Sequence, residues 1–73
     1  MVWEDKGMRQ YVVGYYNKVA TKDDFVILAT MDSKNVAMFV RNSYNNAYKE
    51  AGITTEAVLL ASHEVPKNYR FAE

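Results

Sequence analysis

Phe25-Val26-Ile27-Leu28-Ala29-Thr30-Met31-Asp32-Ser33-Lys34-Asn35-Val36 is the stretch whose reading decides the fold. Its first half, Phe25 to Ala29, is apolar at successive positions and reads as a strand buried on both faces. Its second half reads as a helix start. Asp32 is a good N-cap, with Ser33, Lys34 and Asn35 as the first turn. Met31 before the cap and Val36 at the fourth helical position have the spacing of a hydrophobic staple. A strand over about 24–31 therefore hands over to a helix at about 32.

Toward the C-terminus, the stripe Val36, Phe39, Val40, Tyr44, Ala47, Tyr48, Ala51 recurs at intervals of three or four, or pairs neighbours on one face. Lys34, Arg41, Asn42, Asn45, Asn46 and Lys49 fall on the other sides. Gly52 suits a left-handed stop near 51, with Ile53 packing back onto Tyr48. Beyond Thr54-Thr55, the run Ala57-Val58-Leu59-Leu60-Ala61 allows a helix by composition. The tight return at 52–55 and the ending Val65-Pro66 favour a third strand over 56–65. Toward the N-terminus, Tyr11-Val12-Val13-Gly14-Tyr15-Tyr16 is rich in β-formers and marks a first strand over 8–18. Gly14 inside it implies a bulge or the close approach of another backbone. Val19 to Asp23 is the turn. Residues 1–7 read as a loose leader, with Trp3 docking over a core edge, and 66–73 as an extended tail carrying Tyr69 and Phe71.

The chain of 73 residues and 8.4 kDa is thus one small α+β domain, with a three-stranded sheet and one packed helix in the order β-β-α-β. The helix links the second and third strands by a crossover, so those two run parallel, with the first strand between them and antiparallel to both.

Composition removes whole classes of function. Nine basic and nine acidic residues balance, which argues against both a broadly basic nucleic-acid surface and an acidic mimic. With no cysteine, a disulfide scaffold, a thiolate zinc site and a cysteine nucleophile are excluded. A single histidine, His63 beside Glu64, cannot build a multi-histidine metal site and lacks a second positioned group for acid–base work. Asp23-Asp24 lacks the spacing and glycine of a calcium loop and reads as a solvated turn. Ser33, Ser43 and Ser62 have no nucleophile-elbow context, and there is no phosphate loop. Hence no catalytic, metal or cofactor site is expected. The Met1-Val2-Trp3-Glu4 start carries no secretory pattern, and apolar runs stay short, whereas a membrane crossing needs about 20 residues. A cytoplasmic protein is the expectation.

One helix covers one face of a sheet. If Phe25, Ile27, Ala29 and Met31 face the helix, then Val26 and Leu28 face away, joined by Val58, Leu60 and Tyr16. Lone proteins seldom leave such a patch bare. The expected cover is a second copy, another protein, or the chain's own ends. Tyr16, Val26, Leu28, Val58 and Leu60 are the expected partner anchors, with Tyr69 and Phe71 at the rim. The alternative is single-stranded nucleic acid stacked on Tyr11 and Tyr15 beside Arg9. Tyr44 and Tyr48, flanked by Asn42, Asn45 and Asn46, have adaptable binding chemistry but read first as core rim.

The order of parts from 24 to 65 also resembles a known group. Ala29-Thr30 leads into a capped helix containing Ala37, Tyr44 to Tyr48 comes late in it, and Ala51-Gly52-Ile53 leads into an apolar strand. This is similar to the small single-domain proteins that bacteriophages make early to disable host machinery, such as the phage inhibitor of bacterial RNA polymerase. The resemblance implies stoichiometric binding to a protein in a host cytoplasm, without cofactor or catalysis. The inhibitor's acidic character is missing here, so neither target nor binding residues transfer from it. The expected function is a non-catalytic regulator or inhibitor of a cellular protein that also self-associates as a homodimer.

Overall fold

The computed structural model describes residues 9–19 and 22–72. The expectations for Trp3, for the rest of the leader and for the tip of the first turn lie outside these residues. The elements follow in the order β1 (Tyr11–Val19), β2 (Lys22–Met31), α1 (Lys34–Glu50), β3 (Val58–Ala61) and β4 (Tyr69–Phe71), with a 3-10 turn at Ser62–Glu64 before β4. The sheet order is β3-β1-β2-β4. β1 is antiparallel to β2 and β3, and β4 is parallel to β2.

The α+β class, the single long helix and the central position of β1 agree with the sequence. The strand number does not, because the tail forms a fourth strand. The third strand is also shorter than 56–65. It cannot start earlier, because a helix side chain occupies the backbone of Ala57. Asn45 Oδ1 accepts from the Ala57 N–H at 2.7 Å and Asn45 Nδ2 donates to the Ala57 carbonyl at 3.1 Å. It ends at Ala61 because Glu64 folds back and accepts the Ala61 N–H at 2.9 Å.

Val12 and Val13 are neighbours in sequence and both have 0% exposure. Successive strand residues point to opposite faces, so β1 is covered on both sides. On one side, Val13, Ala37 and Ala57 form a core with Leu28, Met31, Val40, Tyr44, Tyr48 and Leu59 packed around it. On the other, Val12, Phe25 and Ile27 form a second core with Val58, Leu60, Val65 and Tyr69.

The expected alternation in β2 fails at one point. Gly14 pairs with Ile27 but Val13 pairs with Ala29, which leaves Leu28 as an extra residue, a β-bulge. Before the bulge, Phe25 and Ile27 point away from the helix. After it, Met31 lies on the helix side, and Ala29 sits opposite Val13 there. Leu28 itself packs in the helix-side core. Val26, opposite Tyr15, is 1% exposed. So Val26 and Leu28 are not on the far face, whereas Val58 and Leu60 are. Gly14 explains the switch. A Cβ there would overlap the Val26 carbonyl oxygen and lie 2.7 Å from Phe25 Cε2. The bare glycine is the space into which the Phe25 ring folds.

The far face is not bare either. β3 and β4 are at opposite edges, so the chain between them must cross the sheet. β3 ends opposite Tyr11, at the Met31 end of β2, while β4 begins opposite Phe25. Residues 62–68 therefore run diagonally back over the face opposite α1, and Val65 packs there against the Val12, Phe25 and Ile27 core. One crossover covers each face, and the expectation of an obligate companion over Val58 and Leu60 is corrected.

The helix ends differ in how they match the sequence. Ser33, not Asp32, is the N-cap, its Oγ accepting from the Val36 N–H at 3.3 Å. Asp32 is drawn to the chain before β1, pairing with Arg9 Nη1 at 3.1 Å and accepting the Gln10 N–H at 3.3 Å. At the other end, Gly52 has φ +74°, its N–H donates to the Lys49 carbonyl at 3.1 Å, and Ile53 donates to the Tyr48 carbonyl at 2.8 Å. These are the paired hydrogen bonds of a left-handed helix stop.

Two substitutions test these constraints by denaturant unfolding. Gly14→Ala must displace Phe25 and backbone, and is expected to cost about 1–3 kcal/mol or more. Gly52→Ala meets no atom but keeps a left-handed backbone, and is expected to cost about 1–2 kcal/mol.

Candidate interaction surface

The expected anchors are scattered by the fold. Leu28 packs in the helix-side core, and Val26 is buried at 1% exposure. Val58 and Leu60 are half-buried against the far-face core. Tyr16 stays 45% exposed on that face, edge-on to Phe25 with ring centroids 5.0 Å apart. Tyr69 packs on the far-face core, and Phe71 is 41% exposed, with the two rings 6.2 Å apart in a T-shape. Tyr16, Tyr69 and Phe71 thus remain as accessible aromatics, although Tyr69 is only half exposed.

The nucleic-acid alternative loses its platform. Tyr11 packs in the core under α1, and Tyr15 is on the same side, within electrostatic reach of Tyr48. Arg9 is held in its ion pair with Asp32. Base stacking needs open ring faces, and the helix lies over this side of the sheet.

The sequence places Phe39 on the buried stripe of α1, yet it is 72% exposed. The residues that meet the sheet are Ala37, Val40, Tyr44 and Tyr48. At about 100° per residue, Phe39 lies roughly 160° around from Ala37. Val36 is half exposed beside it. Phe39, Val40, Ser43, Tyr44 and Ala47 line a shallow, mostly apolar hollow of about 290 Å³ along this flank. The signal in the sequence was the width of the stripe, too broad for one helix to press onto a sheet. Small Ala37 between Val36 and Met38 marks the line of closest approach.

The opposite flank of α1 is polar. Arg41, Asn42, Asn45 and Glu56 share a second hollow of about 380 Å³ with the start of β3. Arg41 Nε and Nη2 both donate to Asn42 Oδ1, at 3.2 and 3.1 Å. A flank that is oily on one side and hydrogen-bonding on the other gives the helix a defined outward orientation.

Among the described residues, no cluster of three or more His, Asp or Glu could hold a metal ion. His63 is exposed in the 3-10 turn, Ser33 caps α1, and Ser43 lines the apolar hollow. Asp24 accepts from Asn68 Nδ2 and so ties β2 to the chain entering β4. Among the described residues, no helix is long and apolar enough to cross a membrane.

Tyr44 and Tyr48 sit with ring centroids 6.0 Å apart. Burial, then the nearby Tyr15 and Tyr44 phenols, push the Tyr48 hydroxyl above its usual range. Searched against protein-family models, curated proteins and solved structures, the chain matches none.

The Tyr48 shift has a fixed sign. The folded state holds that proton more tightly than the unfolded chain does, so its stabilising effect is present below pH about 10 and is lost as pH rises through the higher folded value. A spectrophotometric titration of the six tyrosines is expected to show a late-ionising component that Tyr48→Phe removes. An unchanged curve in the variant would assign the late component elsewhere.

Proposed function

We propose that the chain acts by stoichiometric, non-catalytic binding to another protein, as a regulator or inhibitor of that protein. The observation that carries this reading is Phe39, a large aromatic side chain 72% exposed on the outer flank of a well-capped helix, beside an apolar hollow. Buried aromatics in a surrounding of small contacts are the usual energetic centre of a protein interface. Val36 and the hollow complete an anchor and its seat, and the polar groups of Arg41, Asn42 and Asn45 lie around the helix from them. The balanced charge fits a contact held by apolar burial, one that salt weakens little. An inhibitory role is suggested by the order of elements over 24–65, similar to small phage inhibitors, which would place the target in a host cytoplasm.

The surface differs from the one the sequence favours. The far face is spent on the chain's own return, so the docking residues shift from Val26, Leu28, Val58 and Leu60 to the flank of α1. Self-association belongs to the same surface, with a second copy as occupant.

Burying Phe39 is worth about 1.5–3 kcal/mol, so Phe39→Glu is expected to weaken binding about tenfold or more. Because Phe39 is so exposed, the circular dichroism and melting temperature should stay near wild type. The assay compares proteins captured from cell lysate by the two forms, with sedimentation of each form at two concentrations. A captured protein, or a dimer, lost in the variant supports the reading. Equal capture by both forms, or a strict monomer that captures nothing, contradicts it.

A further inference from the structure

The two edges of the sheet are finished differently. At β3, the Ser62 N–H donates to the Gln10 carbonyl at 3.0 Å, which sets Leu60 and Val58 to bond β1 and turns Ala61, Leu59 and Ala57 outward. Two of those three are already engaged: Asn45 takes both backbone groups of Ala57, and Glu64 takes the Ala61 N–H. An incoming strand would have to displace both side chains. Such blocking is how proteins keep a sheet edge from pairing.

At β4 the outward groups are open among the described residues. The Phe25 N–H donates to the Asn68 carbonyl at 2.9 Å and the Ala72 N–H donates to the Ile27 carbonyl at 2.8 Å. In a parallel ladder with Phe25 opposite Tyr69 and Ile27 opposite Phe71, the intervening bonds to β2 come from Arg70. The N–H and C=O groups of Tyr69 and Phe71 therefore point away from the sheet. Among the described residues, no strand or side chain pairs with them. Their rings lie on the far face, while Arg70, opposite Val26, projects to the helix side and is exposed. Lys67 is exposed just before, and the nearby Asp24 carboxylate is taken by Asn68.

We propose that this edge accepts an extended segment of a partner protein as a fifth, antiparallel strand, with an acidic residue opposite Arg70 and apolar residues opposite Tyr69 and Phe71. The backbone supplies the pairing and the alternating side chains supply the choice of sequence. Charge selects against a second copy. A two-fold pairing through the outward groups of Tyr69 and Phe71 would set Arg70 against its own twin in the close, non-hydrogen-bonded position, about 4.5 Å between Cα atoms. Like charges in that position are destabilising. The inference rests on the protein-binding reading but uses a surface separate from Phe39.

The test needs no native target. Capped peptides Thr-Val-Glu-Val-Thr and Thr-Val-Lys-Val-Thr are titrated to millimolar concentration into the isotope-labelled chain. Amide shifts and hydrogen exchange are followed at residues 67–72 and at 36–47. The acidic peptide is expected to shift and protect the Tyr69 and Phe71 amides, binding about three- to five-fold more tightly than the lysine peptide. Arg70→Glu, at an exposed site, should reverse that order with the dichroism unchanged, and Arg70→Gln should abolish it. No shift with either peptide, shifts confined to the Phe39 flank, or equal binding by both peptides would overturn the proposal. So would protection of Tyr69 and Phe71 in the free protein that grows with its concentration, since a second copy would then own the edge. Failure here leaves the Phe39 surface standing, because its test is read at a different residue.

Discussion

The fold depends on the contact between the Phe25 ring and Gly14. β1 is the strand every other part leans on, and at Gly14 it has no side chain, so the neighbouring strand can press a ring into the gap. The bulge at Leu28 accompanies that press and reverses the facing of β2 half-way along. Its first half then builds the far-face core and its second half builds the helix-side core. A small chain thereby gets two cores from three central side chains each, and both are closed by its own crossovers.

This closure decides where binding can happen. Because Val65 and its neighbours occupy the far face, the sheet offers a partner no broad apolar plane. Among the described residues, what remains is narrower: one helix flank with a protruding phenylalanine, the exposed Tyr16 ring, and one sheet edge whose outward backbone groups have no partner. The β3 edge is blocked by Asn45 and Glu64, and the polar flank of α1 is tied to β3 by the same Asn45. One asparagine thus both fixes the helix on the sheet and seals an edge.

The parts of the fold legible in the sequence are those set by local chemistry. Gly52 stops the helix as its left-handed preference requires, and Gly14 marks a bulge and a close backbone approach, as a glycine inside a strand implies. The misreadings are all long-range. Asp32 is as good a cap as Ser33 by local rules, and Arg9, 23 positions away in sequence, pulls it elsewhere. Strict alternation is the correct default for Phe25 to Met31, and only the pairing partner reveals the extra residue at Leu28. Tyr69 to Phe71 is too short to announce itself as a strand, and it becomes one because residues 62–68 deliver it alongside β2. For the binding surface, the tyrosines and apolar residues that the sequence singles out are largely core. Phe39 was hidden because a stripe of seven apolar positions does not say which of them the sheet will reach.

The most direct test of this account is a proton–proton contact map around the Phe25 ring by nuclear Overhauser spectroscopy. Contacts are expected from the ring to the Gly14 Hα protons and to Tyr16, with none to Ala37 or Tyr44. Contacts from Phe25 to Ala37 or Tyr44, with none to Gly14 Hα, would mean that β2 alternates without a bulge. The far face would then carry Val26 and Leu28 instead.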